Sequence, residues 1–166
     1  IHFEQSEWDM ISESNTAIAS CPTSNAPIQD LGLGSGLFDY EKAEDQGIRW
    51  ALASDIGGGP FLCMFDVIDS FERQNRYAGK SGDHHIKALY RSTKAGADIL
   101  GLGDSRGNFS KGKRLDCIQC IATRGIEPDA TAASVLKAII SQVPERGQFE
   151  ALVSATVVNG EILYEA

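Results

Sequence analysis

The sequence predicts an α/β fold, a run of parallel β-α units followed by a small β-rich subdomain. Three observations predict it. The apolar, alternating run Ile48 to Ala53 reads as a buried strand, and it ends on Ser54-Asp55 before the glycine loop Gly57-Gly58-Gly59. Strand-like and helix-like stretches alternate up to about residue 103, as the β-α units of a parallel sheet require. Beyond that point strand patterns dominate, and Asn159-Gly160 supplies the type I′ turn of a closing hairpin. The division falls at residues 1–103 and 104–166.

Taken in order, Gln5 to about Ser12 forms a short helix with Trp8 and Ile11 on one face. Thr16 to Ser20 forms a strand that stops at Cys21-Pro22, because proline cannot donate to the ladder. Ala26 to Gly36 is a loop, and Leu37 to about Gln46 a helix closed by Gly47. A crossover of that length makes Thr16–Ser20 and Ile48–Ala53 neighbouring parallel strands. Pro60 suits the first position of the next helix, along which Phe61, Met64, Phe65, Ile68 and Phe71 keep helical spacing. Asp83 caps a further helix, with Ile86, Leu89 and Tyr90 inward and a break near Gly96.

In the second part, Leu115 to Ala122 is a strand, about Ala130 to Gln142 a helix, and Phe149 to Val158 a long strand. The chain returns through Ile162 to Tyr164, and Leu115–Ala122 pairs with this hairpin. The unit leaves an unpaired edge and an apolar surface exposed.

The chain has 166 residues, enough for an ordinary domain with a real core. Its net charge of −8 argues against nucleic-acid phosphates or anionic lipid as partners. Hydrophobic residues make up 42% and never gather into a membrane-length run, so no membrane partner is expected. Glu4 and Glu7 occupy the place of a signal peptide's apolar segment. Cys21, Cys63, Cys117 and Cys120 are too few and too irregular for a disulfide framework, which points to a reducing, cytoplasmic setting. The opening at Ile1, inside what reads as a strand end, fits either a processed or trimmed chain or a segment of a longer one.

Asp55 reads two ways. A strand-end aspartate often caps its own turn, but α/β barrels keep catalytic and metal-binding groups at this position. The three glycines beside it leave room for a ligand or for unusual backbone angles. Other motifs fail as sites. Cys117-Ile118-Gln119-Cys120 lies in a strand, where residues three apart face opposite ways, so both thiols are core or half-buried. No H-x-E accompanies that pair, which excludes the zinc deaminase fold that acts on single-stranded nucleic acid. Gly107 to Arg114 nearly spells a P-loop, but Arg114 stands where Ser or Thr must reach Mg²⁺. Gly32 to Gly36 is too short for a dinucleotide fingerprint. His84-His85 is read as a solvated pair, and Glu41, Glu44 and Asp45 as a solvated helix face.

Read together and in order, these motifs resemble the C-terminal part of the guanine deaminases of the amidohydrolase superfamily. The residues that carry the resemblance are His2-Phe3, Glu7-Trp8-Asp9, Cys21-Pro22-Thr23-Ser24-Asn25, Gly34 to Phe38, Ser54-Asp55-Ile56-Gly57-Gly58-Gly59, Leu100-Gly101-Leu102, Gly107-Asn108-Phe109, Gly112-Lys113, Asp116 and the last hairpin. The chain departs from the pattern at Ala26 to Leu31, which looks inserted, and at Arg91 to Lys94, normally more apolar.

The resemblance implies the last part of a (β/α)8 metal-dependent hydrolase barrel plus a segment of a composite β-rich subdomain. It implies that Asp55 is both a ligand of one catalytic zinc ion and a catalytic group that helps activate its water. The remaining ligands would lie N-terminal to Ile1; His2 falls on the second His of the family's His-x-x-His stretch and is assigned no catalytic role. The implied parent enzyme is a homodimer that hydrolyses a small purine, guanine, to xanthine and ammonia. This segment would be inactive without the N-terminal part. A formiminoglutamate deiminase-like or chlorohydrolase-like enzyme is the alternative, and from another class a non-catalytic scaffold module.

Overall fold

The structure, a computed structural model, describes residues 2–25, 34–121, 126–127 and 129–166. Helix α1 (Gln5–Glu13) starts where the Glu4 backbone N–H donates to the Glu7 carboxylate at 2.8 Å, and it buries Trp8 edge-on to Phe3. Strands β1 (Ile18–Ser20) and β2 (Trp50–Leu52) are parallel neighbours, with Ile18 opposite Trp50 and Ser20 opposite Leu52. The expected pairing is present, joined through α2 (Tyr40–Asp45).

Helix α2 begins three residues later than the sequence suggested. The Asp39 carboxylate accepts from the Lys42 N–H and so caps it, and Gly47, at φ +68°, ends it. Of the predicted loop before it, residues 26–33 lie outside the described residues, and with them the looked-for insertion at Ala26 to Leu31.

Three helices follow, α3 (Met64–Tyr77), α4 (His84–Ser92) and α5 (Lys94–Ile99). Pro60 does not open α3, which starts at Met64 behind Cys63. Proline's fixed φ suits an extended segment as well as a first helical turn. Phe61 is used differently too, packing on the Gly147 backbone, where a Cβ would stand 2.9 Å from its ring. Phe65, Ile68 and Phe71 do face the core as their spacing predicts. On α4 the inward residues are His84 and Ala88, with Ile86 and Leu89 half-buried, whereas Tyr90 is exposed beneath the Arg91 guanidinium. The helical break comes at Thr93 (φ −128°, ψ −90°), not at Gly96, which sits inside α5 against Ala51 of β2.

The second sheet is antiparallel, in the order β3-β4-β5, built from Cys117–Cys120, Val153–Val158 and Glu161–Glu165. Strand β3 therefore pairs with the hairpin as expected, although Ala122 lies outside the described residues. Asn159 (φ +54°) and Gly160 (φ +82°) make the two-residue turn. The long strand read from Phe149 begins instead with a 3₁₀ turn, Phe149–Leu152, which turns both of its end residues into the core. Helix α6 (Ala132–Ser141) is capped by Thr131 and buries Leu136 and Ile140. Strand β5 is exposed along its length, with Ile162, Leu163 and Tyr164 facing solvent.

One apolar cluster runs from Trp8, Tyr40, Trp50 and Phe71 to Leu136, Ile140, Phe149 and Leu152. Trp50 is fully buried at its centre, with Phe38, Tyr40 and Phe71 rings 5.4 to 5.8 Å away. The Arg91 guanidinium sits over the Trp50 ring, 4.2 Å from its centroid, donates to the Trp50 carbonyl and pairs with Glu44 at 2.7 Å. Glu44 also takes Lys87 at 2.6 Å, and Glu41 takes Lys80 at 2.9 Å, so this helix face is ion-paired to its neighbours rather than merely solvated. Among the described residues no helix is long and apolar enough to cross a membrane.

Candidate metal-binding site

Adjacent parallel strands release their following loops at the same end of the sheet. The loops after β1 and β2 therefore meet, and they bring together residues 31 positions apart. After β1, Cys21 to Asn25 form a tight turn in which the N–H groups of Ser24 (3.0 Å) and Asn25 (2.9 Å) donate to the Cys21 carbonyl. Gln74 of α3 braces this turn from inside, donating to the Pro22 carbonyl at 2.9 Å and to the Ser70 hydroxyl at 2.6 Å. Asn25 accepts the Ser35 hydroxyl at 3.0 Å.

After β2 the chain turns sharply at Asp55, whose φ of +51° is the left-handed region that aspartate tolerates better than most residues. The Asp55 carbonyl accepts from both Gly58 (2.9 Å) and Gly59 (2.6 Å). Each glycine of the run has its own reason. Gly57 has a φ of +108°; a Cβ on Gly58 would stand 2.8 Å from Asp55 Oδ2, and one on Gly59 2.5 Å from the Ser54 carbonyl.

The Asp55 side chain is exposed at this mouth, and its Oδ2 accepts the hydroxyl of the fully buried Ser24 at 2.7 Å. Its Oδ1 has no hydrogen-bond partner among the described residues. A carboxylate with one oxygen anchored and the other open is a sound hard ligand for a divalent ion. The Cys21 thiol nearby is pushed up by burial and, second, by the Asp55 charge, so it stays protonated at neutral pH and is a poor ligand. Among the described residues, no group of three or more His, Cys, Asp or Glu side chains could hold an ion by itself.

The other sequence motifs lie apart from Asp55. His2 is exposed. His84 is not a solvated residue: it is 4% exposed, edge-on to Tyr40 and Phe71, and hydrogen-bonded to the Tyr40 hydroxyl. Adjacency in sequence gave the expected divergence from His85 but not the pocket that α2 and α3 build around His84. Cys117 and Cys120 are half-buried free thiols, with a register shift between Gln119 and Cys120. Lys113 of the P-loop-like stretch donates to the Gly103 and Arg106 carbonyls and so staples its own loop. Sequence reasoning missed Ser24 as the partner of Asp55. The available signal was a hydroxyl in the turn after the neighbouring strand.

The chain matches the amidohydrolase family over residues 1–163. It is 36% identical over 137 residues to the guanine deaminase of Escherichia coli strain K12, covering 82% of this chain and 28% of that protein. It is 34% identical over 121 residues to the guanine deaminase of Dictyostelium discoideum, covering 70% of this chain and 26% of that protein. Among solved structures, E. coli guanine deaminase superposes with a TM-score of 0.80 at 30% identity, over 99% of this chain and 37% of that one. An adenosine deaminase from Xanthomonas campestris with bound Zn gives a TM-score of 0.71 over 97% of this chain and 35% of that one; at 20% identity this is a likeness of fold. The chain spans about a quarter of the length of the curated relatives it matches. Its mixed α/β structure is consistent with part of a TIM-barrel hydrolase, and the chain belongs to the amidohydrolase family.

Proposed function

We propose that the whole protein is a zinc-dependent guanine deaminase, which replaces the exocyclic amine of guanine with a water oxygen to give xanthine and ammonia. The observation that carries this reading is Asp55, held at the carboxyl end of β2 in the loop Ser54 to Gly59, with one carboxylate oxygen that lacks a hydrogen-bond partner among the described residues. The similarity to guanine deaminases over most of the chain supports the choice of substrate.

Asp55 fits zinc as one ligand. Sites of this kind take at least three protein ligands, so the others come from outside the described residues in this reading. When bound, zinc lowers the pKa of its water to near neutrality. The part of this chain is to hold the ion at the Asp55 carboxylate and to help activate the attacking water there. Residues 1–103 then belong to the barrel and 104–166 to a composite β-rich subdomain; the separate sheets β1-β2 and β3-β4-β5 support that division. The exposed β5 face supports completion of the second sheet by other strands of the whole protein.

The test is product release by the whole, zinc-loaded protein: ammonia from guanine, adenosine and formiminoglutamate, and chloride from a chlorinated triazine. Guanine should lead the others by about 100-fold or more in kcat/KM. A preference for any of the others would replace this reading, and inactivity on all four would favour a non-catalytic module.

A further inference from the structure

We infer that Ser24 is a positioning residue for Asp55, its hydroxyl holding Oδ2 so that Oδ1 is the oxygen presented to the metal. The inference rests on the reading of Asp55 as a zinc ligand.

Four observations carry it. Ser24 has no solvent exposure, and its hydroxyl donates to Asp55 Oδ2 at 2.7 Å. A hydrogen bond to an ionised carboxylate is about twice as strong as a neutral one, and it selects one oxygen. The donor is itself fixed: the Ser24 and Asn25 N–H groups close the turn on the Cys21 carbonyl, and the buried Gln74 amide ties Pro22 to Ser70 of α3. On the other side, Gly58 approaches Oδ2 so closely that a Cβ would stand 2.8 Å from it.

Oδ2 is thus enclosed by a hydroxyl and a bare backbone, while Oδ1 lacks a partner among the described residues. The Asp55 side chain is otherwise exposed and would have rotamer freedom to lose on binding an ion. The Ser24 bond removes that freedom beforehand, as partners behind a metal ligand generally do. A serine that served only to close the Cys21 turn would use its backbone N–H alone, a donor that Ser24→Ala keeps.

The test uses the whole zinc-loaded protein, with zinc affinity read by chelator competition alongside steady-state kinetics on guanine. Ser24→Ala, nearly isosteric, should weaken zinc binding by about 10- to 100-fold and lower kcat with KM little changed. Ser24→Thr, which keeps the hydroxyl but crowds a fully buried site, should bind zinc better than Ser24→Ala while being less stable to heat. In an Asp55→Ala background, Ser24→Ala should change zinc affinity no further. Wild-type zinc affinity in Ser24→Ala, or an equal loss in both backgrounds, would overturn the inference. If Asp55→Ala itself leaves zinc binding intact, the metal role of Asp55 fails first. If Asp55→Ala releases zinc and Ser24→Ala does not, only the positioning role fails.

Discussion

The Tyr40 hydroxyl that opens α2 lies 3.2 Å from Nε2 of the buried His84 that opens α4. The pair makes stability depend on pH at both ends of the range. Burial holds His84 below its ordinary value of 6.5; the nearby Lys87 pushes the same way, against Glu72, Glu41 and Asp83. The unfolded chain therefore takes up this proton at a higher pH than the folded one, and stability falls as pH drops below 6.5. The denaturation midpoint should fall between about pH 7.5 and about pH 5.5, and His84→Gln, which cannot titrate, should flatten that slope. An identical slope in the variant would remove His84 as its source. Tyr40 is pushed up to about 12 by burial and by Glu41, so its phenol should ionise late in an absorbance titration.

A second buried group behaves oppositely. Asp66, 1% exposed on α3, accepts the Gly147 N–H at 2.7 Å, yet burial raises its carboxyl above 3.8. The folded state then holds this proton more tightly than the unfolded chain. Its contribution is fully present below 3.8 and is lost as pH rises through the folded value. Asp66→Asn keeps the acceptor without the charge and should be as stable as the parent at neutral pH, or more so. Asp66→Ala strands the Gly147 N–H and should cost about 1–3 kcal/mol. Equal destabilisation by both, measured in urea, would contradict this account.

Much of this arrangement was legible in the sequence because it depends on local pattern. The alternation around Trp50, the Asp at its end and the Asn159-Gly160 turn needed no partner to be recognised. What was not legible depends on contacts made at long range. Pro60 suits an extended segment as well as a helix start, and the Phe61 contact with Gly147 is 86 residues away in sequence. His84 and Glu44 looked solvated because nothing in their own helices shows that Tyr40 and Phe71 surround the first, and Lys87 and Arg91 pair with the second. Ser24 stood inside a motif already picked out, but its role depends on β1 lying beside β2.

The glycine loop makes a prediction that separates folding from function. The three atoms nearest a methyl on Gly58 all belong to the Asp55 carboxylate, the end of a side chain that can yield, whereas a methyl on Gly59 meets the Ser54 backbone carbonyl. Gly58→Ala should therefore stay within about 1 kcal/mol of the parent in stability while losing zinc affinity and activity. Gly59→Ala should lose about 1–3 kcal/mol as well. A Gly58→Ala protein with parental zinc affinity would show that the carboxylate orientation does not matter.

As proposed, the Asp55 carboxylate holds the catalytic metal, and removing it should empty the site. The most direct measurement is zinc content together with guanine deamination in the whole protein carrying Asp55→Ala. The variant should fold, lose most of its zinc on dialysis and show kcat lowered by about 1000-fold or more. A folded Asp55→Ala protein that keeps full zinc content and parental kcat would contradict that role of Asp55.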